Sequence, residues 1–174
     1  MRDLKTIPDE VKWRIAAQVA ALLPALYDNA YRGVVGEKYN EIEQEIWMEL
    51  SRKAYDIIND LSLPMGNAAE LAEGLQLVMG IFFGPDYKSE TLEVSEHGAV
   101  ILVKRCPLPA SSHDRNGRDV STFHKCMVLT LTTVPLLNKG YSARFVRTMC
   151  TGDRQCEIKI EDEKKSETNV QKKK

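Results

Sequence analysis

Histidine and long apolar runs are scarce in this chain, and each shortage removes a class of function. Three histidines among 174 residues form no H-E-x-x-H pair, which argues against a zinc protease. The ten glycines build no P-loop, no G-x-G-x-x-G and no G-x-S-x-G segment, which argues against common nucleotide-dependent enzymes and serine hydrolases. No stretch approaches the roughly 18 apolar residues of a membrane span. Residues Met1 to Glu10 hold no apolar core of a signal peptide. The expected compartment is therefore the cytoplasm, with no membrane partner. Excess charge of one sign is missing too: 24 basic residues face 25 acidic ones, for a net charge of −1. With no basic stripe before the last few residues, no nucleic-acid partner is expected.

What is present is a core. Hydrophobic residues make up 43% of the chain, enough for one folded domain. The first half carries helical periodicity. Val11, Ile15, Val19, Leu22 and Leu26 recur at three- and four-residue spacing after Pro8, and Pro24 is expected to kink or split this helix. Gly33 and Gly36 bracket a break. Tyr39, Ile42, Ile46, Leu50, Ala54, Ile57 and Leu61 line one side of a second helix that ends at Leu63-Pro64-Met65-Gly66. Asn67 with Glu70 three residues on is a capping-box pattern, and opens a third helix that stops at Gly84-Pro85.

The period then changes. Alternation over Leu92 to Ser95, a Glu96-His97-Gly98 turn and an apolar run from Ala99 to Val103 predict a β-hairpin. Residues 121–138 fit both a helical stripe and a threonine-rich strand, and the Asn138-Lys139-Gly140 terminus favours helix. Tyr141 to Cys150 and Cys156 to Glu161 predict a last hairpin. The fold class is α+β, with N-terminal helices followed by a mostly antiparallel sheet with one inserted helix. Residues 1–161 form the single domain, and 162–174 form a charged tail without period, expected to be disordered.

Four cysteines, all in the second half, are the candidate functional centre: Cys106, Cys126, Cys150 and Cys156, spaced C-x19-C-x23-C-x5-C. None makes a C-x-x-C knuckle. If the last hairpin closes with Cys150 opposite Cys156, Thr148 faces Ile158, Val146 faces Ile160, and both thiols share a face. A strand end at Cys106-Pro107, a helix start near Cys126 and a hairpin tip can converge at one end of a sheet. A shared zinc or iron–sulfur cluster is one reading, since soft thiolates suit both. Buried, unliganded thiols packing as small hydrophobes are the other.

Other residues are weighed against plainer roles. His97 reads as a solvated turn residue. His113 beside Asp114 has the parts of a general base with its orienting carboxylate, on a loop that seldom holds such geometry. His124 is a further candidate ligand near Cys126, or a helix-surface histidine. Glu37, Glu41, Glu45 and Glu49 read as a solvated face, and Trp13, Trp47, Phe82 and Phe83 as core or subunit contact.

Cys106-Pro107 after a strand, Cys126 on a following helix, and Cys150-Thr151-Gly152-Asp153-Arg154-Gln155-Cys156 before an alternating strand resemble two related groups. These are the 4-vinyl reductase domain and the L-2-amino-thiazoline-4-carboxylic acid hydrolase-like family, which share their fold in outline with TRAPP vesicle-tethering subunits. The resemblance spans roughly residues 37 to 161 and rests on the last dozen. It implies an uninterrupted helix where this chain has Pro135. It also implies that the cysteines ligate a metal or line a pocket, Cys150 and Cys156 foremost. The function expected is a sensor-like domain that binds a metal, a small hydrophobic or heterocyclic ligand, or both. The alternative is a metal-dependent hydrolase of a C–N bond, with His113 or His124 moving protons. A third is an interaction module, for which the amphipathic helices suit a homodimer.

Overall fold

A computed structural model describes residues 4–108 and 120–164. His113, Asp114 and most of the charged tail lie outside the described residues. Helices α1 (Asp9–Val35), α2 (Lys38–Asp60) and α3 (Ala68–Phe83) precede strands β1 (Lys88–Val94) and β2 (Gly98–Arg105). Helix α4 (Val120–Leu137) is inserted before β3 (Tyr141–Arg147) and β4 (Cys156–Asp162). The sheet is antiparallel throughout, in the order β1-β2-β4-β3. This is the α+β arrangement that the sequence predicts.

Local chemistry explains most boundaries. The Asn67 side chain accepts the Glu70 amide at 3.0 Å and caps α3, while the Glu70 carboxylate accepts the Gly66 amide at 2.6 Å. Residues 120–137 resolve as helix because their buried positions, Lys125, Leu129, Thr133, Val134 and Leu137, follow a 3.6-residue period. Pro135 falls in the last turn and α4 continues through it. Ser51 donates to the Leu129 carbonyl at 3.2 Å, tying α2 to α4.

Helices α3 and α4 cover one face of the sheet, α2 packs on α4, and α1 lies outermost against α2 and α3. Ala99, Ile101 and Val103 of β2 oppose Ile160, Ile158 and Cys156 of β4, and all six enter the core beneath Leu71, Leu75, Val78 and Leu129. Each fully buried Leu or Ile there contributes about 1.5–3 kcal/mol over leaving it exposed.

Of the two outcomes expected at Pro24, a kink or a split, the split does not occur: α1 runs unbroken over 27 residues. The stripe Val11, Ile15, Val19, Leu22 and Leu26 is an exposed face of α1, and Ala17 and Ala21 on the other side of the helix are buried. The last hairpin closes in a different register. Phe145 opposes Ile158 and Ala143 opposes Ile160, where Thr148 and Val146 were expected. The cause is local. Thr148 leaves the strand to cap a 3-10 turn at Met149–Thr151, and the Asp153 carboxylate accepts the Thr148 amide at 2.9 Å. A slip of three residues reverses the face of every side chain, so Val146 goes to solvent while Ala143 and Phe145 pack against the core.

Candidate functional site

The four cysteines do come into one neighbourhood. Cys156 opens β4 opposite Val103, and Cys106 follows β2 just past it. Cys150 sits in the 3-10 turn, and Cys126 lies on α4 above them. Cys150 and Cys156 are buried, Cys106 and Cys126 partly so, and no disulfide forms. The Cys156 Sγ lies 3.3 Å from the Met149 amide and 3.7 Å from the Thr148 hydroxyl. Burial pushes the Cys106 thiol up to about 12, and charge on Cys156 and Cys150 pushes the same way. Burial likewise raises Cys126 well above a free thiol, with Cys106, Cys156 and Cys150 adding to it. Tyr87 is raised by burial and then by Cys126 and Cys106. Burial therefore disfavours the thiolate at Cys106 and at Cys126. Among the described residues no three Cys, His, Asp or Glu side chains stand together as a group that could hold a metal ion. The predicted hairpin-tip pairing of Cys150 with Cys156 across the ladder is absent, because the ladder ends before Cys150.

His97 lies in the turn, half-exposed and 3.4 Å from Asp162. His124 is partly buried on α4. Glu37, Glu41, Glu45 and Glu49 are exposed, as a solvated face requires.

A second feature stands apart from the sulfur atoms. Between α1, α2 and the end of α3 lies a cavity of about 830 Å3. Helix α1 supplies Ala20, Ala21, Leu23, Pro24, Tyr27, Tyr31 and Val35; α2 supplies Tyr39, Ile42, Glu43, Ile46, Trp47 and Leu50; Phe82, Phe83 and Leu108 complete the wall. Its floor, with Ala21, Tyr39, Trp47, Phe83 and Leu108, is buried, and its mouth runs past the half-exposed Tyr27, Tyr31, Ile42 and Ile46. None of the four cysteines lines it.

Among the described residues Glu43 is the charged one in this wall, 3% exposed. Lys125, 2% exposed, reaches from α4 to within 3.2 Å of Glu43 Oε1 and 3.5 Å of Asp28 Oδ2. Arg32 pairs with Asp28 at 2.5 Å and lies over the Tyr39 ring, 5.1 Å from its centroid. Burial holds the Glu43 carboxyl above the usual range, with Lys125 opposing. The Tyr39 hydroxyl is pushed up to about 12 by burial and by the charge of Glu43. Neither Glu43 nor Lys125 stood out in the sequence. The signal was present as spacing: Tyr39, Glu43, Trp47 and Ser51 recur every fourth residue, and all four are buried.

No family model matches the chain, and no curated protein matches it. Among solved structures the chain is similar to a trafficking protein particle complex subunit 3 from Naegleria fowleri, described as covalently bound to palmitic acid. The TM-score is 0.59 at 11% identity, over 86% of this chain and 96% of that one. The fold is therefore TRAPP-like, as the resemblance implied. No helix among the described residues is long and apolar enough to cross a membrane.

Proposed function

We propose that this domain binds a small apolar or amphipathic molecule in the cavity between α1, α2 and α3. The carrying observation is the cavity itself: about 830 Å3, walled by aliphatic and aromatic side chains with a single charged one among the described residues. Sites for small molecules are typically about 300–1,000 Å3, largely apolar, with few polar groups to orient the ligand. The similar fold described with bound palmitic acid supports a single-chain occupant. The cavity and not the cysteine cluster carries this reading. A zinc-dependent hydrolase needs about three protein ligands around an open position, and the described residues gather no such group.

Trp47 lies in the cavity floor and reports occupancy. Titration with 11-bromoundecan-1-ol, whose bromine quenches indole on contact, is expected to give saturable quenching that Trp47→Phe removes. At about 100 times Kd the same ligand stabilises the fold by about 2.7 kcal/mol. Quenching that rises linearly without saturation, with no thermal shift, sinks the reading.

A second reading, a homodimer through α1, has its own observation. The exposed stripe of Val11, Ile15, Val19, Leu22 and Leu26 lies opposite the buried Ala17 and Ala21, so α1 is apolar on two sides. Such a helix is stable when both sides are covered. An antiparallel pair of α1 helices sets the acidic first turn, Asp9 and Glu10, of one copy beside the last turn, with Arg32, of the other. Light scattering is expected to give twice the chain mass for the native protein and the chain mass for Ile15→Asp/Leu22→Asp. A native protein that stays monomeric at micromolar concentration removes this reading.

A further inference from the structure

The polar atoms of the cavity wall are not spread evenly. Helix α1 lines the cavity from Ala20 to Val35, which at the helical rise is about 22 Å of wall. In the floor, Ala21, Trp47, Phe83 and Leu108 bring neither a hydroxyl nor a charge. The remaining polar groups there are already engaged. The Tyr39 hydroxyl is held by Glu43, Lys125 stands 3.2 Å from the Glu43 carboxylate, and Arg32 covers the Tyr39 ring. Tyr27 and Tyr31 differ. They stand one helical turn apart at the mouth, half-exposed, with ring centroids 6.2 Å apart. Neither hydroxyl hydrogen-bonds to another described residue. Each is both donor and acceptor, so two free hydroxyls sit at the rim of a wall whose other polar groups are taken.

We infer that the occupant is a single-chain amphiphile that enters tail first, its oxygen-bearing head resting in water against Tyr27 and Tyr31 and its chain end lying against Trp47 and Phe83. This rests on the cavity being a ligand site, as proposed above, and adds the direction of binding and the residues that set it. Reversed binding would strip water from the head and set it among indole and phenyl rings that return no hydrogen bond, the costliest place for a polar group. Tail-first binding avoids that cost and buries methylenes instead, which favours the complex. None of the four cysteines lines the cavity, so hydrogen bonds and not sulfur hold the head. Because the head stays outside, the cavity does not limit its size. A bulky head such as phosphocholine, whose phosphate oxygens accept from tyrosine, is taken as readily as a hydroxyl.

The test uses three probes below micelle-forming concentrations: 12-bromododecan-1-ol, 2-bromododecan-1-ol and 12-bromododecylphosphocholine. Binding is read as a saturable rise in Tm, and bromine position as quenching of the emission that Trp47→Phe removes. All three are expected to bind. The two probes brominated at the chain end are expected to quench most of the Trp47 emission at saturation, and the 2-bromo isomer to leave most of it. The phosphocholine is expected to bind within about threefold of the alcohol, a difference smaller than one hydrogen bond. Tyr27→Phe/Tyr31→Phe is expected to weaken every probe about fivefold, as losing two hydrogen bonds at a wet site implies. Its Tm without ligand stays that of the native protein, since both hydroxyls face water. A 2-bromo isomer that quenches as deeply as the 12-bromo one overturns the inference and leaves the cavity as a ligand site. So does a phosphocholine that fails to bind where the alcohol binds, or a double variant that binds all three as tightly as the native protein. Probes that neither saturate nor raise Tm overturn both.

Discussion

Replacing Gly84 by alanine is expected to lower the unfolding free energy by about 3–5 kcal/mol and to weaken ligand binding with it. Two independent costs add. Gly84 caps α3 at φ 78° and ψ −173°, a backbone conformation that is essentially reserved for glycine and costs other residues about 1–3 kcal/mol. A Cβ placed there also meets the Cβ of Ala17 at 2.4 Å, a separation that real atoms do not adopt. The only relief is movement of α1 away from the end of α3. That movement stretches the Trp13 Nε1 to Ile81 carbonyl bond of 3.3 Å and the Gln18 to Asp86 contact of 3.4 Å. It also shifts Ala20, Ala21 and Leu23, one turn beyond Ala17, out of the cavity wall. The double variant Gly84→Ala/Ala17→Gly separates the costs. It removes the clash and keeps the backbone strain, so urea unfolding is expected to recover part of the loss but not all. A single variant that loses less than about 1 kcal/mol shows that α1 does not dock on α3 in this way.

The close approach of α1 to Gly84 illustrates what the sequence could and could not reveal. Periodicity located the three N-terminal α-helices. Where propensity was divided, as over the threonines of residues 121–138, the terminal Asn138-Lys139-Gly140 signal favoured the helix that forms. Periodicity does not say which of two apolar faces turns inward. On α1 the larger side chains, Ile15, Val19 and Leu22, define the periodic stripe, but the close approach to α3 requires small ones, and Ala17 and Ala21 are what fit. The last hairpin failed for a related reason. Matching Val146 and Thr148 to Ile160 and Ile158 satisfied side-chain alternation but ignored that Thr148 and Asp153 can hydrogen-bond the backbone and end the strand early. The four cysteines lie near enough to act on one another electrostatically, yet among the described residues they form no group that could hold a metal ion. The cavity was legible only as amphipathic helices. Its charged floor joins Asp28, Glu43 and Lys125 from three helices far apart in the chain, and no local pattern links them.

That charged floor carries the second large effect. Lys125→Met is expected to destabilise the protein by about 3–5 kcal/mol, because it removes the cation from a buried carboxylate and leaves that charge uncompensated. Adding Glu43→Leu removes the orphaned charge as well, and the double variant is expected to recover most of the loss, since a buried ion pair is often worth no more than apolar packing of similar volume. The pH dependence fixes the sign independently. In the native fold burial raises the Glu43 carboxyl above its unfolded value of about 4.3. The folded state therefore holds this proton more tightly than the unfolded state. The contribution of Glu43 is most favourable below the unfolded value and is lost as pH rises through the folded one. Lys125 works against the rise, so its removal carries the folded value further up and widens that window toward neutrality. Lys125→Met is thus expected to regain stability, relative to the native protein, as the pH is lowered from about 7.5 toward 5, and Glu43→Leu in the same background is expected to abolish that slope. Urea midpoints across this range measure both. Parallel pH profiles for the native protein and Lys125→Met would mean that Lys125 does not set the charge of Glu43.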